Sequence, residues 1–170
     1  MKNFARFAAM TGLSAAMALA TAAVSFAQGA GTYRNDRHGF TLTYPAAQFI
    51  ALPVATEDGR QFISTDGKAR LLAGTVANVG NTSLRAYRDF LMREAYAGAN
   101  ITYAPVRDTW FVLSGIKPDG TLFYQRVNFL CGGRNINSWA MLFPAADKPL
   151  YQPVIDAVHR DYRAGTGNCG

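Results

Sequence analysis

Side chains that carry chemistry are scarce in this chain of 170 residues, which has two histidines and two cysteines and is only 16% charged. Two histidines are too few for the usual histidine-based metal centre, which needs three imidazoles or two with a carboxylate. No GxSxG elbow, HExxH helix, CxxC pair or phosphate-binding loop occurs. Their absence removes the commonest hydrolase, zinc-protease, dithiol and nucleotide signatures, and no cofactor is expected. Basic residues never cluster into a run, although Lys+Arg 17 exceed Asp+Glu 11, so nucleic acid is not an expected partner. No internal repeat or low-complexity tract interrupts the chain, and 49% hydrophobic content excludes a disordered one.

Acidic residues are also missing from the whole N-terminal segment, the first being Asp36. Lys2 and Arg6 precede an uncharged, alanine-rich stretch from Phe7 to Phe26, which closes on Ser25-Phe26-Ala27 with small residues where a signal peptidase reads. Residues 1–27 therefore read as a secretory signal peptide cleaved before Gln28, with no stable membrane span afterwards. Alanine, threonine and serine partition weakly into lipid compared with leucine and isoleucine, which disfavours a retained anchor. The expected location is periplasmic or secreted. Cleavage removes two cations and no acid, so the net charge falls from +6 to +4. A mild, dispersed positive charge in an exported monomer suits a protein, a glycan or an anionic envelope component.

Export makes a Cys131–Cys169 disulfide the first expectation for the two cysteines. In Thr121–Cys131 the odd positions Phe123, Val127, Phe129 and Cys131 form a mainly apolar face, with Gln125 the exception, while Tyr124, Arg126 and Asn128 lie on the other. Cys131 thus reads as core-facing at a strand end. Cys169 follows the last helix in a glycine-rich tail, which a bridge would tie to the sheet.

Residues 28–39 read as a polar lead-in and 40–170 as a single α+β domain. Phe40–Tyr44 alternates as a strand and Phe49–Val54 is a second apolar run. Gln61–Thr65 and Ala69–Asn78 form a hairpin about Asp66-Gly67. Thr82 or Ser83 caps a helix with Leu84, Tyr87, Leu91 and Ala95 on one stripe, while Arg85, Asp89 and Arg93 bridge one another on its outer side. Strands follow at Ile101–Val106, Trp110–Ile116, Thr121–Cys131 and Asn135–Phe143, with turns at Asp119-Gly120 and Gly132-Gly133. A last helix has Pro153 in its first turn and buries Ile155, Val158 and Tyr162. Strands, helix, strands, helix is an α+β order with an antiparallel sheet.

One catalytic constellation can be drawn: Cys131 as nucleophile, His159 as base, and Asp156 or Asp161 as orienter, giving a small thiol-dependent hydrolase. Competition from Cys169 for the same sulfur, and an apolar setting that disfavours a thiolate, weigh against it. The densest polar cluster, Tyr33–Gly39, offers Arg34, Asp36 and His38 as a ligand-contact loop, or as side chains that pair with their neighbours. A non-enzymatic binding or scaffolding domain is the leading expectation, with a structural or stress-associated envelope protein as the other alternative.

Tyr33-Arg34-Asn35 followed by His38-Gly39-Phe40-Thr41-Leu42-Thr43-Tyr44-Pro45 resembles the GF-x-L-x-YP opening of the PsbP-like superfamily. The resemblance implies an antiparallel sheet flanked by helices, an α/β/α sandwich. It also implies action through contact surfaces, since no catalytic set is common to a superfamily that includes a photosystem II subunit, a Ran-binding import factor and small bacterial envelope proteins. No metal or cofactor residue carries over. The cleavage site is tested by intact mass: the exported protein is expected to begin at Gln28, and recovery of residues 1–27 in a membrane fraction would refute export by cleavage.

Overall fold

The computed structural model describes residues 29–53, 56–165 and 169. The signal segment, the end of the second apolar run at Val54 and most of the glycine-rich tail lie outside these residues. Nine strands and two helices follow in order: β1 (Ala30–Asn35), β2 (Phe40–Pro45), β3 (Phe49–Ala51), β4 (Gly59–Ser64), β5 (Arg70–Ala77), α1 (Leu84–Glu94), β6 (Asn100–Tyr103), β7 (Trp110–Ile116), β8 (Thr121–Leu130), β9 (Asn135–Pro144) and α2 (Lys148–Asp161). β1 and β2 pair as a separate hairpin, and the other seven form one antiparallel sheet in the order β3-β4-β5-β9-β8-β7-β6.

β8 and β9 are the central pair. They match in ten consecutive positions from Thr121↔Pro144 to Leu130↔Asn135, and each carries a further strand on its outer edge. One face of these strands is covered throughout and the other in part, so their residues sort by parity into two cores. Trp139, Met141 and Phe143 of β9 and Leu122 of β8 join Phe40 and Leu42 of the hairpin and Val154, Ile155 and Val158 of α2. Ile136 of β9 and Phe123, Val127 and Phe129 of β8 join Leu91 and Tyr96 at α1.

Several sequence expectations change here. The polar lead-in is strand β1, whose burial alternates regularly although its side chains are mostly small or polar, with Tyr33 and Asn35 on the inward side. Asn128 on the polar parity of β8 is buried, because α2 and the C-terminal segment cover that side too. Pro153 lies inside α2 rather than in its first turn, which begins at Lys148 with Pro149 as the early proline. Arg88, not Arg85 or Arg93, pairs with Asp89 on α1. The Ser83 hydroxyl does cap that helix, accepting from the Ala86 amide at 3.2 Å.

Two polar anchors fix the cover to the sheet. Asn137, fully buried in β9, accepts from the Thr75 hydroxyl at 2.6 Å and donates to the Ala164 carbonyl at 2.8 Å, beyond the end of α2. Asp66 at the β4–β5 turn accepts from Ser64, the Lys68 amide and the Tyr151 hydroxyl of α2, and these bonds hold its carboxyl at about pKa 2. Arg163 and Thr41 exchange backbone hydrogen bonds, so the segment after α2 runs beside β2.

The Cys131–Cys169 disulfide is present, spanning 38 residues with Cα atoms 5.2 Å apart. Cys131 differs from its expected setting. It leaves β8 with φ +55° and opens the three-residue turn to β9, so it is half-buried rather than core-facing. The next two residues also take positive φ, which glycine alone adopts at little cost, and Gly132-Gly133 supplies it. Replacing both cysteines by serine is expected to leave the fold intact but lower unfolding free energy by about 2–4 kcal/mol, measured in urea. Uptake of two alkylating groups by the unreduced wild-type protein would show the bridge to be absent.

Candidate functional site

The proposed thiol constellation is not assembled. His159 lies against β8, where its Nδ1 is 2.8 Å from the Tyr124 hydroxyl. Cys131 is seven residues beyond Tyr124 at the end of β8, and its sulfur is bonded to Cys169. Asp156 accepts from Gln152 at 2.8 Å and Asp161 pairs with Arg160, so neither orients the imidazole. His159 instead lines an open groove of about 580 Å³ between α2 and β6–β8, beside Tyr103, Ser114 and Asp156. Burial, then the positive charge of Arg126, lowers its pKa. Arg126 is itself half-buried, its guanidinium 4.6 Å from the Trp110 ring centre. The same burial pushes the Tyr124 hydroxyl up to about 12, so it stays protonated beside the ring.

The lead-in residues also part company. Arg34 and Asp36 pair with each other on the surface at 2.7 Å. His38 turns toward Asp58, with Nε2 2.8 Å from the carboxylate, while Asn35 donates to the Glu57 carbonyl at 2.9 Å. These bonds clip the β1–β2 turn to the turn before β4. They also explain the lowered pKa of Asp58, chiefly through the bond to His38. Their geometry is that of a structural fastening, not of three side chains converging on a ligand.

A larger feature lies on the α1 side of the sheet. α1 and Tyr96 cover β7 and β8, with the Tyr96 ring stacked on Phe123 at 3.7 Å. Seven strands span about 29 Å from first to last axis, and one helix covers about 10 Å of that. β4, β5 and β9 are left as the floor of an open groove of about 750 Å³. The register lays a row of side chains across it: Gln125 on β8, Ala140 on β9, Leu72 on β5 and Gln61 on β4. The adjoining row is smaller still, with Ser138, Gly74 and Gly59.

The groove has polarity from one side to the other. At the β8 side the Tyr96 hydroxyl donates to Gln125 Oε1 at 2.7 Å, and the Lys117 ammonium sits 5.5 Å from the Tyr96 ring centre. At the far side the rim is Leu52, Pro53 and Thr56, with Gln61 and Arg60 of β4 beside them. Arg60 and Lys117 are the charged residues along it, and among the described residues no aspartate or glutamate lines it. Gln125, the exception on the apolar parity of its strand, is the one sequence signal that pointed here. Lys117, Tyr96 and Ala140 carried none.

No cluster of three or more potential metal ligands occurs among the described residues, and no helix there is long and apolar enough to cross a membrane. No protein family matches the chain by sequence, and no curated protein does. Solved structures do match in fold. The cyanobacterial PsbP (CyanoP) of Synechocystis sp. PCC 6803 superposes with a TM-score of 0.61 at 14% identity, over 79% of this chain and 92% of that one. The Ran-binding protein Mog1p of Saccharomyces cerevisiae superposes with a TM-score of 0.57 at 10% identity, over 80% and 95% of the two chains. These likenesses are of fold: an α+β, mostly antiparallel PsbP/Mog1-like architecture.

The His159 setting makes stability pH-dependent. Its pKa is lower folded than unfolded, so between those values the unfolded chain binds more protons and folding loses free energy. Stability is therefore expected to fall as pH drops below about 6.5, the unfolded value. Thermal melts between pH 7 and 5 test this, and His159→Gln should flatten the profile in that window. An unchanged slope would refute the assignment.

Proposed function

We propose that this chain is an exported, non-enzymatic binding or scaffolding domain, periplasmic or secreted, that acts as a monomer through the groove on the α1 side of its sheet. The reading takes the domain as an α/β/α sandwich in which one outer layer is incomplete: α2 and the β1–β2 hairpin cover one face, whereas α1 covers only half of the other. The observation that carries it is the open groove of about 750 Å³, whose size falls in the range of ligand sites, with a floor of small and apolar side chains and polar groups at its two sides.

Support also comes from what the reactive groups are doing. The cysteine sulfurs are joined to each other, and His159 and the nearby acids are engaged separately, which leaves the hydrolase reading without a nucleophile. The fold likeness to CyanoP and to a Ran-binding protein is consistent with recognition by a surface, and brings no partner with it. Residues 28–170, immobilised and challenged with a periplasmic extract, are expected to retain a component that Ala140→Phe releases roughly tenfold more readily by filling the groove. Retention indifferent to that substitution would remove the groove from the function, and stoichiometric labelling of Cys131 by a thiol-directed probe in the unreduced protein would overturn the non-enzymatic reading.

A further inference from the structure

Building on the groove as the binding surface, we infer that its ligand is a free single-chain amphiphile with a carboxylate head, lying across the strands with its head at Lys117 and its tail toward Leu52. The polarity of the groove sets both the class and the direction. At one side stand the Lys117 ammonium, the Tyr96–Gln125 pair and a Gln125 amide nitrogen that makes no hydrogen bond among the described residues. Opposite them, past Ala140 and Leu72, the rim is Leu52, Pro53 and Thr56, and Arg60 borders it from β4 on the parity of Phe62, which belongs to the core on the α2 side. A hydrocarbon chain on that path meets only apolar or small side chains until it reaches Gln61 at the edge.

Charge complementarity selects an anion. No acidic residue lines the groove among the described residues. Asp119, the acid nearest Lys117 in sequence, is held by a bond from the Thr121 amide at 2.9 Å. Asp119 lies close enough to feel the Lys117 charge but does not line the groove, so a cationic head would meet Lys117 with no carboxylate inside the groove to offset it. Gly74 supports occupancy of the floor. A Cβ built there meets nothing nearer than 3.5 Å and its φ is not positive, so the strand itself has no need of glycine. Glycine within a strand marks a place where something else comes close to the backbone.

The test is calorimetric titration of residues 28–170 with decanoate, decylamine and decyl maltoside below their micellar concentrations, at low salt. Decanoate is expected to bind saturably and about tenfold more tightly than decylamine. Lys117→Gln should weaken decanoate about tenfold. Lys68→Gln removes the same charge from a lysine paired with Asp147, and should leave binding unchanged. Ala140→Phe and Gly74→Leu fill the floor independently, and each should abolish binding while circular dichroism shows the fold retained. Equal binding by Lys117→Gln, preference for decylamine, or no saturable heat would overturn the proposal. So would retention on phosphatidylglycerol vesicles without decanoate binding, which points to a bilayer surface. Groove-dependent capture from the extract together with no decanoate binding would sink the amphiphile alone; decanoate binding with capture indifferent to Ala140→Phe would sink the extract partner alone.

Discussion

The ten-position match between β8 and β9 is the constraint on which the rest of the molecule depends. A strand has a side-chain period of two, so a slip of one residue would exchange the two cores and turn every face inside out. The register is set at one end by the short turn through Cys131, Gly132 and Gly133, whose successive positive φ angles leave little freedom in where β9 begins. Once it is set, Trp139, Met141 and Phe143 face α2, and Ile136 faces the α1 side with Ser138, Ala140 and Leu142. The disulfide and the Asn137 bonds then fasten the C-terminal segment to this same pair of strands. The fold is thus braced where its two central strands meet and its chain ends.

The two faces are treated unequally, and the proposed binding surface lies on the less covered one. On the α2 side Asn137, Thr75, Asn35 and Ser64 are buried with hydrogen-bond partners, whereas Trp139 Nε1 and the Tyr162 hydroxyl are buried without one among the described residues. On the α1 side a helix of eleven residues stops at Glu94, and Tyr96 closes its flank by stacking on Phe123. The ring contact adds about 0.5–1.5 kcal/mol beyond area burial and defines a wall. Beyond that wall, Ala140, Ser138 and Gly74 are too small to cover the floor themselves. The likeness to CyanoP and Mog1p extends to the architecture and stops there, because at 10–14% identity surfaces diverge freely while a packed core retains its shape.

Reactive groups in this chain have been drawn into structure. The paired cysteines, the His38–Asp58 contact and the Tyr124–His159 contact each satisfy a group that would otherwise be a candidate for chemistry. What stays open is a largely apolar surface on the α1 side with Lys117 and Arg60 along it, the surface on which the proposed binding role rests.

Local chemistry made much of this legible from the chain alone. Alternation marked β2 and β8, the Asp119-Gly120 and Gly132-Gly133 turns marked their neighbours β7 and β9, Asp66-Gly67 marked the hairpin, Ser83 marked the start of α1, and an even cysteine count in an expected exported chain marked the bridge. These signals survive because each is decided by neighbours within a few residues or by simple pairing. β1 was missed for the opposite reason: its polar sequence becomes a strand only because β2 lies beside it. The pairing of β5 with β9 joins residues some sixty positions apart, and no local pattern encodes it. The groove depends wholly on that pairing, since Leu72, Ala140 and Gln125 share a row only after β5, β9 and β8 have found their register. Gln125 looked like a flaw in an apolar face until tertiary structure showed that α1 never reaches that part of the sheet. Sequence determined which residues form strands and helices, because propensity and alternation act locally; tertiary structure alone decided which strand faces are covered, because cover depends on the length and placement of elements distant in the chain.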